Sequence, residues 1–287
     1  MILLSDLVVR YPGTSSNAIH NLSLVIDDST CILGPHGSGK TSVVLALLGL
    51  APIQQGKIDV DGVEIQKTPL VARKLFSYVP QDNWLPSELT LAEYLTELAV
   101  LDDYQPSEVR DRTLWAAHQV HLEAGMGKRL KSFSGGMKRR ALIAGSLLSR
   151  APWLIWDEPT LGLDPKEQAH LYQLINQMVT TRRLIITTQV VEDAIAVPGR
   201  IILLRHGQLA KATTYSDLAA TARNHVFRIP NPMVTEKIRE GILWAPMSGG
   251  RIKVFADKPE PGWEPLEPTA NDGYLWLTAN FTEVSLQ

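Results

Sequence analysis

The chain has 287 residues, 45% of them hydrophobic, so it can build a sizeable globular core with room for a smaller second unit. Its formal net charge of −2 offers no basic surface to nucleic acid and argues against a polyanionic partner. The single cysteine, Cys31, excludes an internal disulfide framework, fits a reducing compartment and is expected to be a small core residue. No apolar run reaches the ~18 residues of a membrane span and no signal peptide is recognisable, so we expect a soluble, cytoplasmic protein.

The N-terminal region is predicted to contain two strands, over residues 3–10 and 22–26, joined by a polar turn with Pro12 and Gly13. Tyr11 lies between them. Tyr11 could stack on a nucleotide base, or it could be a structural tyrosine of an edge strand. Its position alone does not decide between the two.

The clearest chemical motif is a phosphate loop with the spacing glycine, four residues, Gly-Lys-Thr: Gly34, Pro35, His36, Gly37, Ser38, Gly39, Lys40 and Thr41. A predicted buried strand, residues 29–33, precedes it, and a predicted helix, residues 42–50, follows it. In this context the glycine-rich backbone and the helix N-terminus bind a polyphosphate. Lys40 then reaches the β- and γ-phosphates, and the Thr41 hydroxyl can bind Mg²⁺. The sequence therefore predicts that the chain binds a nucleoside triphosphate.

The middle of the chain combines strands with a helical insertion. A hairpin is predicted over residues 57–65, and a buried strand over residues 75–80 ends at Gln81. Two helices follow; the first begins with a capping box from Thr90 to Glu93, and the second is predicted to be capped by Ser107.

A glycine-rich segment, Ser134-Gly135-Gly136, opens a further predicted helix. Three basic residues, 138–140, lie in its first turn, where they oppose the helix dipole. A bound anion would reverse that penalty, so the segment is predicted to contact a second phosphate; a simple glycine turn is the alternative.

Two adjacent acids follow a continuous apolar run at residues 153–156, which predicts a strand buried on both faces. Asp157 and Glu158 come at its carboxyl end, where parallel sheets place their ligand sites. Asp157 can complete an Mg²⁺ shell and Glu158 can polarise a water, whereas the alternative is a solvated acidic turn. Asp164, followed by Pro165, is the expected start of the next helix.

The remaining chain is predicted to hold a buried strand over residues 184–188 that ends at Gln189, and a hairpin around His206-Gly207. Beyond about residue 218 the pattern changes to a short strand at 226–229, a helix at 234–240, a hairpin around Gly249-Gly250 and a proline-rich loop. We expect this part to be a small α/β appendage for packing or dimerisation.

Taken together, these motifs resemble the ATP-binding cassette of ABC transporters over residues 1–218. Its five motifs occur in order: the phosphate loop, Gln81, the signature segment 132–137, the Walker B strand 154–159 and the D-loop 161–164. The resemblance implies an α/β P-loop NTPase of ABC type with a mixed sheet core and an antiparallel N-terminal β-subdomain. It also implies a helical subdomain at about 82–150 and a C-terminal appendage at 219–287.

The resemblance also assigns roles to residues. Tyr11 becomes the adenine-stacking aromatic, and Ser134, Gly135, Gly136 and Asp164 join the phosphate loop in binding ATP, in a head-to-tail dimer. Thr41, Gln81 and Asp157 are the expected Mg²⁺ contacts, and Glu158, Gln189 and Gln81 the expected catalytic residues.

The implied function is that of the ATP-hydrolysing subunit of a transporter, which powers export through a separate transmembrane permease. It would act as a homodimer or heterodimer, without nucleic acid, on the inner face of the cell membrane, and the loop at residues 83–86 would face the permease. A cassette that acts on DNA or ribosomes is another interpretation, and the acidic net charge and the lack of a long coiled coil disfavour it.

Gln189 departs from the family pattern because it occupies the position of the switch histidine. Glutamine can donate a hydrogen bond to a phosphate but cannot become cationic. If transition-state charge or a proton matters there, the loss could cost about two to four orders of magnitude in rate. The alternative function is therefore a degenerate or slow ATP-gated cassette that acts as the regulatory half of a heterodimer.

Overall fold

The computed structural model describes residues 1–197, 199–230 and 243–280. The chain forms two compact units; the first ends at Ala212 and the second begins at Thr213. The boundary drawn at residue 218 from the sequence stays a prediction.

The strands of the described residues follow the expected order along the chain. They are β1 (Ile2–Val9), β2 (Ile19–Ile26), β3 (Thr30–Leu33), β4 (Ile53–Val60), β5 (Val63–Glu64), β6 (Phe76–Val79), β7 (Trp153–Asp157), β8 (Arg183–Thr188), β9 (Arg200–Arg205), β10 (Gln208–Thr213), β11 (Val226–Pro230), β12 (Trp244–Met247), β13 (Arg251–Phe255) and β14 (Glu264–Pro265).

The α-helices of the same residues lie between and beyond these strands. They are α1 (Lys40–Leu47), α2 (Pro69–Leu75), α3 (Leu91–Leu101), α4 (Pro106–Gln119), α5 (Gly135–Leu148), α6 (Pro165–Met178), α7 (Asp193–Ala196), α8 (Tyr215–Ala220) and α9 (Ala270–Asn280). None of them combines the length and the apolar character that crossing a bilayer requires.

The first unit contains two sheets around one apolar core. An antiparallel sheet has the strand order β2-β1-β4-β5, and a mixed sheet has the order β10-β9-β3-β8-β7-β6. The pairs β3–β8, β3–β9, β6–β7 and β7–β8 are parallel. Apolar side chains from both sheets meet helix α1 in the core, which includes Ile2, Ile32, Val44, Ile58 and Trp153. This arrangement confirms the predicted fold class.

Strand β7 explains why the site lies at one edge of the mixed sheet. All its residues are buried, as the continuous apolar run predicts, and the indole N–H of Trp156 donates to the Ser146 hydroxyl at 3.0 Å. Because β3, β7 and β8 are parallel, their carboxyl ends meet at the same edge. The phosphate loop, Asp157 and Gln189 therefore come together.

The helical region of residues 82–150 contains α3, α4 and α5. The predicted capping box starts α3: Thr90 Oγ1 accepts from the Glu93 N–H at 3.2 Å, and Glu93 accepts from the Thr90 N–H at 2.7 Å. The predicted cap of α4 at Ser107 is wrong. That helix begins at Pro106, which is favoured in the first helical position, and the Gln105 N–H donates to Glu108. Helix α2 has no counterpart among the elements predicted from the sequence.

The second unit is an α/β structure of its own. Its antiparallel sheet has the order β12-β13-β11-β14, with the expected hairpin between β12 and β13. Helices α8 and α9 pack together, and Lys253 forms a 2.7 Å ion pair with the buried Asp272. The helix predicted at residues 234–240 lies outside the described residues.

Candidate active site

A cavity of about 520 Å³ surrounds the phosphate loop in the first unit. Its wall joins the phosphate loop to the loop that follows Tyr11, to strand β2 and to the β9–β10 turn. The lining residues are Ser16, Asn17, Ala18, His20, His36, Gly37, Ser38, Gly39, Lys40, Thr41, Ser42, Gln81, Glu158 and His206. Predicted nucleotide, metal and catalytic residues thus share one cavity.

The phosphate loop has the backbone that anion binding requires. Gly39 has φ +100°, and a Cβ there would lie 2.7 Å from Ile19 Cδ1 and 2.9 Å from the Ala18 carbonyl oxygen, so only glycine fits. Helix α1 begins directly after it, and no side chain in the described ranges caps that helix. The Ser38 hydroxyl is buried without a hydrogen-bond partner among those residues. Unsatisfied donors at a helix start suit a polyphosphate.

Lys40 is buried and held by three oxygen atoms. Its Nζ donates to the carbonyl oxygens of Gly34 at 2.8 Å and Pro35 at 3.2 Å, and lies 3.3 Å from Glu158 Oε1. The lysine side chain is 7% exposed and the glutamate side chain 5%. The predicted phosphate ligand and the predicted catalytic acid are therefore paired with each other.

Asp157 is fully buried and accepts hydrogen bonds from three hydroxyls. Oδ2 accepts from Thr41 at 3.1 Å and from Tyr78 at 3.4 Å, and Oδ1 accepts from Thr187. Burial and the neighbouring Asp157 carboxylate raise the pKa of the Tyr78 phenol. Tyr78 and Thr187 are partners that the sequence analysis misses.

The predicted metal contacts suit a hard cation. Thr41 and Asp157 are adjacent, and Gln81 lines the same cavity. Within the described ranges, no group of three or more His, Cys, Asp and Glu side chains is arranged to hold a metal ion by itself. One carboxylate with a hydroxyl and an amide is the kind of oxygen donor set that holds Mg²⁺ together with substrate phosphates.

Glu158 has an unusual backbone and a perturbed carboxyl group. Its φ is +50°, and its N–H donates to the Thr187 carbonyl at 2.9 Å. Burial raises the pKa of Glu158, while Lys40 and the Gln189 N–H oppose that rise. A buried carboxylate at a strained position beside a phosphate site is suited to hold or accept a proton.

Gln189 and Tyr11 lie beside the cavity rather than in its wall. Gln189 is half-buried, and its backbone N–H opposes the rise in the pKa of Glu158. Tyr11 is half-buried against the core, and its hydroxyl donates to Ser42 Oγ at 3.4 Å. Ser42 lines the cavity, so Tyr11 borders the site; its stacking on adenine stays a prediction.

The segment Ser134-Gly135-Gly136 lies outside the cavity. Ser134 is exposed and caps α5, accepting from the Met137 N–H at 3.2 Å. Asp164 is likewise exposed, outside the cavity, and caps α6. Neither segment therefore forms part of the cavity wall around the phosphate loop of its own chain.

The inference that an anion balances the basic residues of α5 is wrong for Arg139 and Arg140. Arg139 is fully buried and donates to the carbonyl oxygens of Pro80 and Gln81. Arg140 donates to Glu167 at 2.8 Å and to the Val120 carbonyl at 3.0 Å. Both guanidinium groups thus donate to acceptors within the chain, and Arg139 ties α5 to the segment that carries Gln81.

The β9–β10 turn is a part of the site that the sequence analysis misses. The Gly207 N–H donates to the Ser38 carbonyl at 3.0 Å, and the His20 N–H donates to the Gly207 carbonyl at 2.8 Å. A Cβ on Gly207, whose φ is +73°, would lie 2.4 Å from the Ala18 carbonyl oxygen. Adjacent His206 lines the cavity. The sequence signal, His206-Gly207, predicts only a hairpin turn.

Comparisons with known proteins agree with this geometry. Residues 19–161 match the family described as ABC transporter. Over 201 residues the chain is 31% identical to the linearmycin resistance ATP-binding protein LnrL of Bacillus subtilis (strain 168). The aligned region covers 70% of this chain and 65% of that protein. The chain spans between 11% and 65% of the length of the curated relatives that it matches.

Solved structures share the fold. One is the ATP-binding subunit of an ABC transporter, with a TM-score of 0.69 and 26% identity over 77% of this chain and 92% of that one. Another is a dimeric ATP-binding cassette in a post-hydrolysis state with ADP and Pi, with a TM-score of 0.69 and 23% identity over 75% and 98% of the two chains. The chain belongs to the ABC transporter family and shares the fold of its ATP-binding subunits.

Proposed function

We propose that the chain binds ATP with Mg²⁺ and hydrolyses it to power export through a separate transmembrane permease. The observation that carries the proposal is the meeting of Lys40, Thr41, Gln81 and Glu158 in the wall of one cavity. These residues come from different segments of the chain and supply a cation, metal-binding oxygens and a base. Such a set suits phosphoryl transfer, where positioning and charge stabilisation do most of the work.

The chemistry assigned to each residue follows from its surroundings. Backbone N–H groups at the start of α1 bind the phosphates, and Lys40 moves its interaction from Glu158 to them. The freed Glu158 carboxylate orients the attacking water and accepts its proton, while an oxygen–phosphorus bond forms and the bond to the ADP oxygen breaks. Thr41, Asp157 and Gln81 would hold Mg²⁺, which would neutralise charge on the phosphate oxygens.

A second cassette completes the site in this proposal. Ser134, Gly135 and Asp164 are exposed, and together with the buried Gly136 they lie outside the cavity of their own chain. In a head-to-tail pair they would reach the partner's nucleotide. The solved cassette with ADP and Pi is itself dimeric. Either two copies of this chain or this chain and a related cassette would fit.

The permease contact is proposed for the loop at residues 83–86. Trp84 is 78% exposed there, shortly after Gln81, so movement at the nucleotide could reach a bound partner through a short stretch of chain. Large exposed aromatic side chains are typical anchors of protein interfaces. The cassette would then lie on the inner face of the cell membrane.

The test is phosphate release by the purified protein with Mg²⁺ and ATP. We expect turnover that Glu158→Gln abolishes; a protein that neither binds nor hydrolyses ATP would contradict the proposal. For the transport part, the permease is co-purified with the wild type and with Trp84→Ala, and loss of capture in the variant is expected. Efflux from vesicles that contain both subunits tests the direction.

A slow, ATP-gated cassette is a second candidate, favoured by Gln189. Its side chain is not part of the cavity wall, and glutamine cannot replace the cationic form of histidine. Such a chain would close on ATP as the regulatory half of a heterodimer. A stable ATP-bound dimer without phosphate release would favour this function, and steady release would favour the motor.

A further inference from the structure

A buried carboxylate outside the cavity joins three segments of the first unit. Asp193, at the start of α7, is 0% exposed and accepts hydrogen bonds from three hydroxyls. Thr160 donates to Oδ2 at 2.8 Å, Thr188 donates to the same oxygen, and Tyr172 donates to Oδ1 at 2.7 Å. None of the ion pairs in the described ranges includes Asp193. Burying a carboxylate without an opposite charge costs free energy, which suggests that Asp193 has a functional role.

The first link from Asp193 leads to the acid loop, defined as residues 157–160. Thr160 ends this loop and is 4% exposed. Within it, the Glu158 carbonyl accepts from the Leu161 N–H at 3.1 Å, and Glu158 has its φ of +50°. Holding Thr160 therefore restricts the strained backbone that aims the Glu158 carboxylate.

The second link leads to the end of β8. Thr188 is the last residue of that strand, and its Oγ1 also accepts from the Val190 N–H at 3.0 Å. This bond joins the residues on either side of Gln189. The Thr188 carbonyl accepts from the Gly34 N–H at 3.1 Å, which fixes this strand end to the phosphate loop. The backbone N–H of the next residue, Gln189, favours the ionised form of Glu158 and so opposes the rise in its pKa.

The third link, to Tyr172, leads away from the site to helix α6. It holds α6 against α7 and does not contact the acid loop or the phosphate loop. Burial raises the pKa of Asp193, while the three hydroxyl donors oppose that rise. The carboxylate thus has two links toward the reacting groups and one that is structural, which provides an internal control.

We propose that Asp193 is a positioning residue for ATP hydrolysis, because its carboxylate fixes the acid loop and the Gln189 strand end relative to each other and to the phosphate loop. The inference rests on the proposed hydrolysis of ATP. Asp193 is not among the residues that line the cavity; it acts through Thr160 and Thr188. Asparagine at position 193 keeps the shape but replaces one accepting oxygen with a donor, so the hydroxyls can no longer all be satisfied.

The experiment measures kcat for ATP and, separately, the affinity for a non-hydrolysable ATP analogue with Mg²⁺. Asp193→Asn is expected to lower kcat about 10- to 100-fold, the usual cost of losing a partner that orients a reacting group, with the analogue affinity within about threefold of wild type. Thr188→Val is expected to lower kcat in the same way. Thr188→Ser, which keeps the hydroxyl, should restore it.

Tyr172→Phe is the matched control, because it removes an equally direct hydrogen bond to the same carboxylate. It should lower the melting temperature without lowering kcat. If Asp193→Asn does not fold, Thr188→Val carries the test. A folded variant with unchanged kcat, a parallel fall in affinity and kcat, or an equal loss in Tyr172→Phe would each overturn the inference. Absence of hydrolysis by the wild type would instead contradict the proposed function.

Discussion

Lys40 Nζ and Glu158 Oε1 lie 3.3 Å apart, with both side chains more than nine-tenths buried. The lysine that would bind the phosphates thus already carries a negative partner, and the base that would activate water already carries a positive one. A nucleotide that enters must exchange one interaction for the other. Both the affinity for ATP and the readiness of Glu158 therefore depend on this pair.

Glu158→Gln is expected to bind ATP more tightly than wild type and to lose turnover. Removing the carboxylate eliminates both the competitor for Lys40 and a repulsive charge near the phosphates, and such like-charge contacts cost several kcal/mol, so a gain of at least about tenfold in affinity is expected. The loss of the base should lower kcat by about 10²- to 10⁴-fold. Equilibrium binding and phosphate release measure the two effects; weaker binding by the variant would contradict the competition.

The free energy of unfolding, measured without nucleotide, tests the same Lys40–Glu158 pair independently. Lys40→Met leaves a buried, unpaired carboxylate and should destabilise the first unit by about 3 kcal/mol in urea unfolding. The double variant Lys40→Met/Glu158→Gln should recover most of this loss. Additive losses in the double variant would mean that the two side chains do not interact in solution.

As the pH is lowered, the ATPase rate is expected to begin falling above pH 4.5, the ordinary glutamate pKa, because burial raises the pKa of Glu158. The base must be ionised, so activity decreases as the pH falls through this raised pKa. With ATP bound, Lys40 contacts phosphate and Glu158 faces an added negative charge, so the limb of kcat should lie at a higher pH than that of kcat/KM. Circular dichroism at each pH controls for unfolding. A flat profile down to pH 4.5 would exclude this role.

Gln189→His separates the two candidate functions. If Gln189 is a working substitute, the change should alter kcat by less than about threefold, whereas a cassette limited by the missing cation should gain about 10²-fold or more. Phosphate release at saturating ATP is the measurement. Asn224→His, an exposed substitution in the second unit, controls for the added imidazole and should leave the rate unchanged in either case.

Arg139→Met is expected to lower ATPase activity about 10- to 100-fold, because Arg139 of helix α5 holds the Pro80 and Gln81 carbonyls and so positions Gln81. The control is Arg182→Met. Arg182 also donates to two carbonyls, those of Leu147 at 3.4 Å and Ala151 at 2.5 Å, but at the far end of the same helix. Both variants should lose stability, and only the first should lose activity. Equal activities would make Arg139 a purely structural residue.

The sequence predicts the elements that carry the motifs because their signals lie in consecutive residues. The apolar run of β7, the capping box of α3 and the Asp164-Pro165 start of α6 are all local, and all are found. The parallel order of β3, β7 and β8 then follows from burial on both faces, which brings the predicted Asp157 beside Thr41. The buried position of Cys31 is confirmed for the same reason.

The contacts that decide the chemistry could not be predicted in this way. The Lys40–Glu158 pair, the hold of Arg139 on the Gln81 segment and the Asp193 hydroxyl cluster join residues from distant parts of the chain. Arg139 shows the difficulty most clearly: its sequence position suggests an anion contact, whereas packing buries it against backbone carbonyls. The cap at Ser107 fails for a smaller reason, since Pro106 starts the helix one residue earlier.

The β9–β10 turn presents His206 to solvent, and exposed hairpin tips ordinarily tolerate tags and inserted segments. Here the next residue, Gly207, forms backbone hydrogen bonds with both Ser38 and His20, so an insertion would shift the phosphate loop itself. His206 also lies in the cavity wall, which makes this turn a place where the nucleotide site reaches the surface. A binding protein or covalent label directed at His206 would therefore obstruct nucleotide entry without touching any residue of the phosphate loop.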